Sequence, residues 1–154
     1  MLSQVFPVTH VRSGEPTGFK DKFLSAINKV DGEWCKLHTI RANYELWKKR
    51  FEKIEKGEAC LSIRQWTGKP YRSKQVEIAC LTREDGIGIQ KMTVAGCATI
   101  HPMFADGTAV CSKELAYNDG LSSLDWNNWF SRYNLTEPLA IIHFTSFRYK
   151  WIKK

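Results

Sequence analysis

At Gly57 the hydrophobic pattern of this chain changes period, and that change narrows the folds open to it. In "NYELWKKRFEKIEKG", residues 43–57, Tyr44, Trp47, Phe51 and Ile54 recur at 3–4–3 spacing, which lays one apolar stripe along a helix. Asn43 suits the N-cap, and Gly57 the place just past the C-terminal end. Beyond Gly57 the runs "ACLSIRQW", "QVEIACLTR" and "IGIQKMTVAGCATI" are β-branched or alternating. The turn chemistry of "TGKPYRSK" and "EDG" separates them.

Two further helices flank this β region. In "TGFKDKFLSAINKVDG", Phe19, Phe23 and Ile27 recur every four residues and Gly32 offers a stop. In "LSSLDWNNWFSRY", Ser122 and Asp125 form a capping-box-like pair, with Leu121 and Trp126 placed as a hydrophobic staple. "CKLHTIR", residues 35–41, reads as a short strand and "LAIIHFTSFRYKWI" as a long closing one. The first fifteen residues read as an arm or edge segment. The order predicts an α+β fold around a mostly antiparallel, barrel-like sheet.

A chain of 154 residues is expected to form a single domain, 1–154. No apolar run approaches the roughly 18 residues of a membrane helix, and "MLSQVFPVTH" lacks the features of a leader peptide. The five cysteines, Cys35, Cys60, Cys80, Cys97 and Cys111, contain no C-x-x-C, so zinc and thioredoxin-type spacing are both missing. An intracellular, cytoplasmic protein with reduced and mostly buried thiols is expected. His10, His38, His101 and His143 do not fall at metal spacing. "DGIGIQK" lacks the third glycine of a dinucleotide fingerprint. Neither a metal nor a cofactor is expected.

The net charge of +7 is unevenly spread. Residues 41–74 carry ten Lys/Arg against four Glu, whereas residues 75–147 carry four against eight acids. Glu45/Lys49 and Glu52/Lys56 are spaced to pair within the helix. The remaining positive charge suits a polyanion such as RNA. "SIRQWTGKPYRSKQ", residues 62–75, interleaves Arg64, Lys69, Arg72 and Lys74 with Trp66 and Tyr71. Cations for phosphates and aromatics for stacking are what single-stranded nucleic acid binding uses.

The strand "CKLHTIR" poses a puzzle. Alternation sets Leu37, Thr39 and Arg41 on one face and Lys36, His38 and Ile40 on the other, and neither face is apolar. A helix leading into K-x-x-T-I-R (Lys36, Thr39, Ile40, Arg41) resembles the opening of ASCH domains, members of the PUA-like superfamily. "AYNDGLSSLDWNNWF" is similar to the family's A-x-x-[E/D]-G segment before a helix, with Ala116, Asp119 and Gly120 matching. The aromatic-rich "IIHFTSFRY" resembles its closing strand. The resemblance spans roughly residues 19–149. It implies a PUA-like β-barrel with flanking helices, in which the basic helix at 43–57 is an insertion.

The resemblance also implies an RNA- or modified-nucleotide-binding module, with the ligand in a cleft near K-x-x-T-I-R. Arg41, Arg64, Trp66, Lys69, Tyr71, Arg72 and Lys74 would make the contacts. The alternative is an amidohydrolase acting on an N4-acetylcytidine-like nucleoside. Thr39 would then be the nucleophile, Asp119 the acid for the leaving nitrogen, and Lys36 the base. Lys36 needs a pKa lowered from about 10.4 for that role. Two departures favour binding. Gly32 lies four positions ahead of Lys36 instead of two, and Asp119 stands where the hydrolases carry Glu.

Overall fold

The computed structural model describes residues 1–96 and 102–150. The N-terminal arm leads into helix α1 (Phe19–Ile27), strand β1 (His38–Arg41) and helix α2 (Tyr44–Glu55). Then come β2 (Leu61–Trp66), β3 (Gln75–Leu81), a 3-10 turn (Arg83–Asp85) and β4 (Gly88–Val94). The hairpin β5 (Met103–Ala105) and β6 (Thr108–Val110) precedes α3 (Ser112–Asn118), α4 (Ser123–Phe130) and β7 (Leu139–His143). No helix among the described residues is long and apolar enough to cross a membrane.

The fold is α+β, but the expected barrel is not what forms. The strands divide into an antiparallel five-stranded sheet, ordered β1-β7-β4-β5-β6, and a separate antiparallel pair, β2-β3. No closed barrel forms among the described residues. Closure fails because edge strand β1 ends at Arg41 and the chain turns at once into α2, while the edge pair β5 and β6 is only three residues long. Such ladders are too short to curl a sheet back onto itself.

Interior strand β7 is buried at every residue, as its apolar run Leu139–Ile142 requires between two neighbours. It is shorter than the sequence suggests. After His143 the chain turns, and the Arg148 guanidinium caps the carbonyls of Thr145 (2.6 Å), Phe147 (2.6 Å) and Gly86 (2.8 Å). That guanidinium lies against Gly88, where an added Cβ would sit 2.0 Å from Nη2. Trp151 and Ile152, also read into this strand, lie outside the described residues.

Helix α2 buries Phe51 and Ile54 and packs against β4 and β7. Asn43 caps it, its side chain accepting from the Leu46 amide, and Gly57 follows at φ 75°. Neither Glu45–Lys49 nor Glu52–Lys56 is among the ion pairs formed by the described residues. Helix α1 buries Phe19 and Phe23, and the Phe23 ring meets Phe144 edge-on at 5.0 Å. Ser122 caps α4 by accepting from the Asp125 amide. The Asp125 carboxylate turns instead to Arg12, at 2.8 Å.

The arm is part of the packed structure. Leu2, Phe6 and His10 are buried. The Leu2 amide donates to the Arg64 carbonyl (2.8 Å), and Arg41 donates to the Met1 carbonyl (2.7 Å). The arm therefore touches both sheets. The thiols also depart from expectation: Cys60, Cys80 and Cys111 are exposed and Cys35 half-buried. Cys97 lies outside the described residues.

Candidate functional site

The puzzle of "CKLHTIR" resolves as strict alternation with an unusual inner face. Lys36 is 1% exposed, His38 0% and Ile40 1%, while Leu37, Thr39 and Arg41 are half-buried. Only His38–Arg41 pairs as a strand, with β7. The preceding residues are pinned by other elements. The Lys36 amide donates to the Lys22 carbonyl of α1 (2.9 Å), and the Leu37 amide to the Asn118 carbonyl at the end of α3 (2.8 Å).

That pinning delivers Lys36 to Asp119, the residue that closes α3. Lys36 Nζ donates to the Asp119 carboxylate Oδ1 and to its backbone carbonyl, both at 2.5 Å. It also lies 4.2 Å from the centre of the Phe19 ring. Gly120 follows at φ 80°, and a Cβ there would come within 3.3 Å of Lys36 Cβ. The Asp119-Gly120 dipeptide is thus more than turn chemistry. It ends the helix, and it leaves room for the lysine stem.

Burial pushes the Lys36 ammonium down from its ordinary value and the Asp119 carboxyl up, and their mutual attraction opposes both shifts. Desolvation penalises both charged forms together. Moving the proton from lysine to aspartate is therefore less costly here than in water.

A buried polar chain backs this pair. The Asn118 amide donates to the Tyr149 hydroxyl (3.0 Å), and that hydroxyl lies 2.8 Å from His38 Nε2. The Tyr149 hydroxyl can accept from both or pass its own proton to Nε2, as the His38 tautomer dictates, and His38 Nδ1 lies 4.0 Å from Asp119 Oδ1. Burial, His143 and Lys36 hold His38 well below the usual histidine range, so the ring is neutral. Its cross-strand neighbour His143 is pushed down to about 3 by burial and by Arg148.

The pair opens onto a cavity of about 430 Å³. Lys36, Thr39, Arg41 and Asp119 line one side, and Trp66 and Tyr71 of the β2–β3 hairpin another. Phe19, Trp129 and Phe130 add apolar wall. Tyr71 stands 90% exposed in a left-handed backbone conformation, its ring 5.4 Å from that of Trp66.

Six of the residues expected from sequence therefore meet: Lys36, Thr39, Asp119, Arg41, Trp66 and Tyr71. Thr39 shares the wall, but no hydrogen bond joins its hydroxyl to Lys36 or Asp119. Arg64, Lys69, Arg72 and Lys74 do not line the cavity; they are exposed on the hairpin outside it. Arg64 bonds to Ser62 (2.9 Å) and sits 3.9 Å from Glu77. Sequence reasoning missed Phe19, Trp129 and Phe130, which look like helix core residues, and the Tyr149–Asn118 support. It missed the arm's contribution too, since Met1, Leu2 and Ser3 also line the cavity. The alternation of Lys36 with His38 and Ile40 was the one signal pointing inward. Among the described residues no three His, Cys, Asp or Glu side chains gather as a metal site would require. Comparison with family models, with curated proteins and with solved structures finds no match to this chain.

Proposed function

We propose that the protein binds a nucleotide, free or within single-stranded RNA, with the base in the cavity and the phosphates on the β2–β3 hairpin. One observation carries this reading: Trp66 and Tyr71 share a cavity with Arg41 and the Lys36–Asp119 pair. Aromatic rings offer a base a stacking platform, while the pair and Arg41 offer donors and acceptors to its polar edge. The volume falls within the roughly 300–1,000 Å³ usual for small-molecule sites. Arg64, Lys69, Arg72 and Lys74, exposed on the same hairpin, supply cations along the path of a strand. An ASCH-like assignment is part of the reading and rests on the K-x-x-T-I-R and A-x-x-D-G motifs.

The test is titration of a labelled single-stranded RNA oligonucleotide, and of cytidine monophosphate, at several salt concentrations. RNA affinity is expected to fall with salt. The triple variant Arg64→Glu, Arg72→Glu, Lys74→Glu should flatten that slope by about one unit for each phosphate no longer neutralised. Trp66→Ala should weaken both ligands by about 1–3 kcal/mol. Unchanged affinity in both variants would sink the proposal.

A second reading, amide hydrolysis of an N4-acetylcytidine-like nucleoside, is favoured by the lowered pKa of buried Lys36. Thr39 would attack the acyl carbon, Lys36 would take its proton, and Asp119 would pass a proton to the leaving nitrogen. Release of cytidine from N4-acetylcytidine, lost in Lys36→Ala, Thr39→Ala and Asp119→Ala alike, is the outcome expected of an enzyme. Binding without turnover, in the wild type and in Asp119→Glu, leaves the protein a reader of nucleotides.

A further inference from the structure

The β2–β3 ladder pairs Ser62 with Cys80 and Leu61 with Leu81. Cys60 adjoins Leu61 at the start of the ladder, and side-chain alternation continued by one residue sets it on the face of Ser62 and Cys80. The two thiols are diagonal neighbours on that face. Both are exposed and free, and Cys60 is the neighbour that most raises the Cys80 thiol. Diagonal positions sit about 7–8 Å apart at Cα, slightly beyond the usual disulfide span of roughly 4.4–6.8 Å. Cys60 can close that gap, because it precedes β2 in exposed coil and no ladder bond fixes its backbone.

We propose that Cys60 and Cys80 form an oxidisable dithiol, which closes to a disulfide across the β2–β3 hairpin in exchange with a low-molecular-weight disulfide. The Cys60 thiolate attacks one sulfur of the reagent; the Cys60 mixed disulfide forms, and one reagent thiol leaves with a proton. Cys80 then loses its proton and attacks the Cys60 sulfur. The protein disulfide forms and the second reagent thiol leaves, so two protein thiols are oxidised and one reagent disulfide is reduced. The order follows from Cys80, whose thiol is pushed up to about 11, chiefly by the neighbouring Cys60 thiol. It is slow to ionise, and so it resolves the bond instead of opening the attack. The bridge would anchor the start of β2 at the opposite end of the ladder from the Trp66–Gln75 pair, and would restrict the hairpin that presents Trp66 and Tyr71.

The full chain is incubated with oxidised glutathione, quenched by alkylation and digested with trypsin without reduction. Cleavage isolates Cys60 in the peptide 57–64 and Cys80 in the peptide 75–83. The expected product is these two peptides joined, two hydrogens lighter than their sum, from protein that still runs as a monomer. Cys80→Ser should stop at a lasting glutathione adduct on Cys60, and Cys60→Ser should give no bridged peptide. Separate glutathione adducts on both peptides in the wild type, or a bridge to Cys111 or between chains, would each overturn the proposal.

Discussion

Lys36 has one carboxylate to answer its charge, and the cost of separating them sets what each can tolerate. Removing one member of a buried pair strands the other, at roughly 3–5 kcal/mol, whereas replacing both with apolar groups is often neutral. Asp119→Ala is therefore expected to lower unfolding stability by about that amount in urea titration. The double variant Lys36→Met, Asp119→Leu should recover most of it. Additive losses in the double variant would show that the two side chains do not act as a pair. The same residues explain what the sequence concealed. Lysine is among the residue types least often fully buried, so no composition rule places Lys36 inside. Its alternation with His38 and Ile40 pointed inward, while its partner, 83 positions away, came only from the resemblance.

Among the elements, α2 was the most legible. Its stripe, cap and stop are all local, and a twelve-residue helix gives the 3.6-residue period room to declare itself. Phe51 is buried and Lys53 exposed on the same helix. Phe51→Ala should cost roughly 3–5 kcal/mol, and Lys53→Ala should stay within about 0.5 kcal/mol of wild type. Equal thermal shifts for the two would place the wrong face inward. The β5–β6 hairpin was not legible by period, because three-residue strands are too short to show one. Its turn, Asp106-Gly107 with both residues at positive φ, was the available signal. The over-long reading of β7 has a related cause. "FTSFRY" has the aromatic and β-branched residues of a strand, but Arg148 bonding the carbonyls of its own turn is a three-dimensional event that no spacing encodes.

At the scale of the molecule, the way in which strands partition into sheets escaped the sequence altogether. Period and turn chemistry identify strands, whereas the partners of each are set by contacts far along the chain. Acid is the sharpest probe of the whole. His143 is neutral and buried beside His38, and neither of its ring nitrogens has a hydrogen-bond partner among the described residues. Its pKa falls from the ordinary 6.5 to about 3 on folding, so below about pH 6.5 the unfolded chain takes up a proton that the folded one refuses. The stability tied to this group is complete above that pH and drains away as pH falls toward 3, up to roughly 4–5 kcal/mol in total. His38, lowered for the same reason, adds to the loss. Urea unfolding at pH 7 and pH 4.5 should show a steep decline in wild type and a shallower one in His143→Leu. An identical decline in both would assign acid sensitivity elsewhere.

The position of β7 also bears on how the protein is made. β7, an interior strand of the large sheet, is the last strand among the described residues, and His38 of its neighbour β1 waits 105 residues for His143. During synthesis β1 and β4 emerge with the strand meant to lie between them still inside the ribosome. Such long-range closure is slow, and half-made sheets with open edges invite pairing with other chains. Until residue 143 is free, the nascent protein holds a gap between β1 and β4, and a chaperone that shields strand edges would be needed most in that interval.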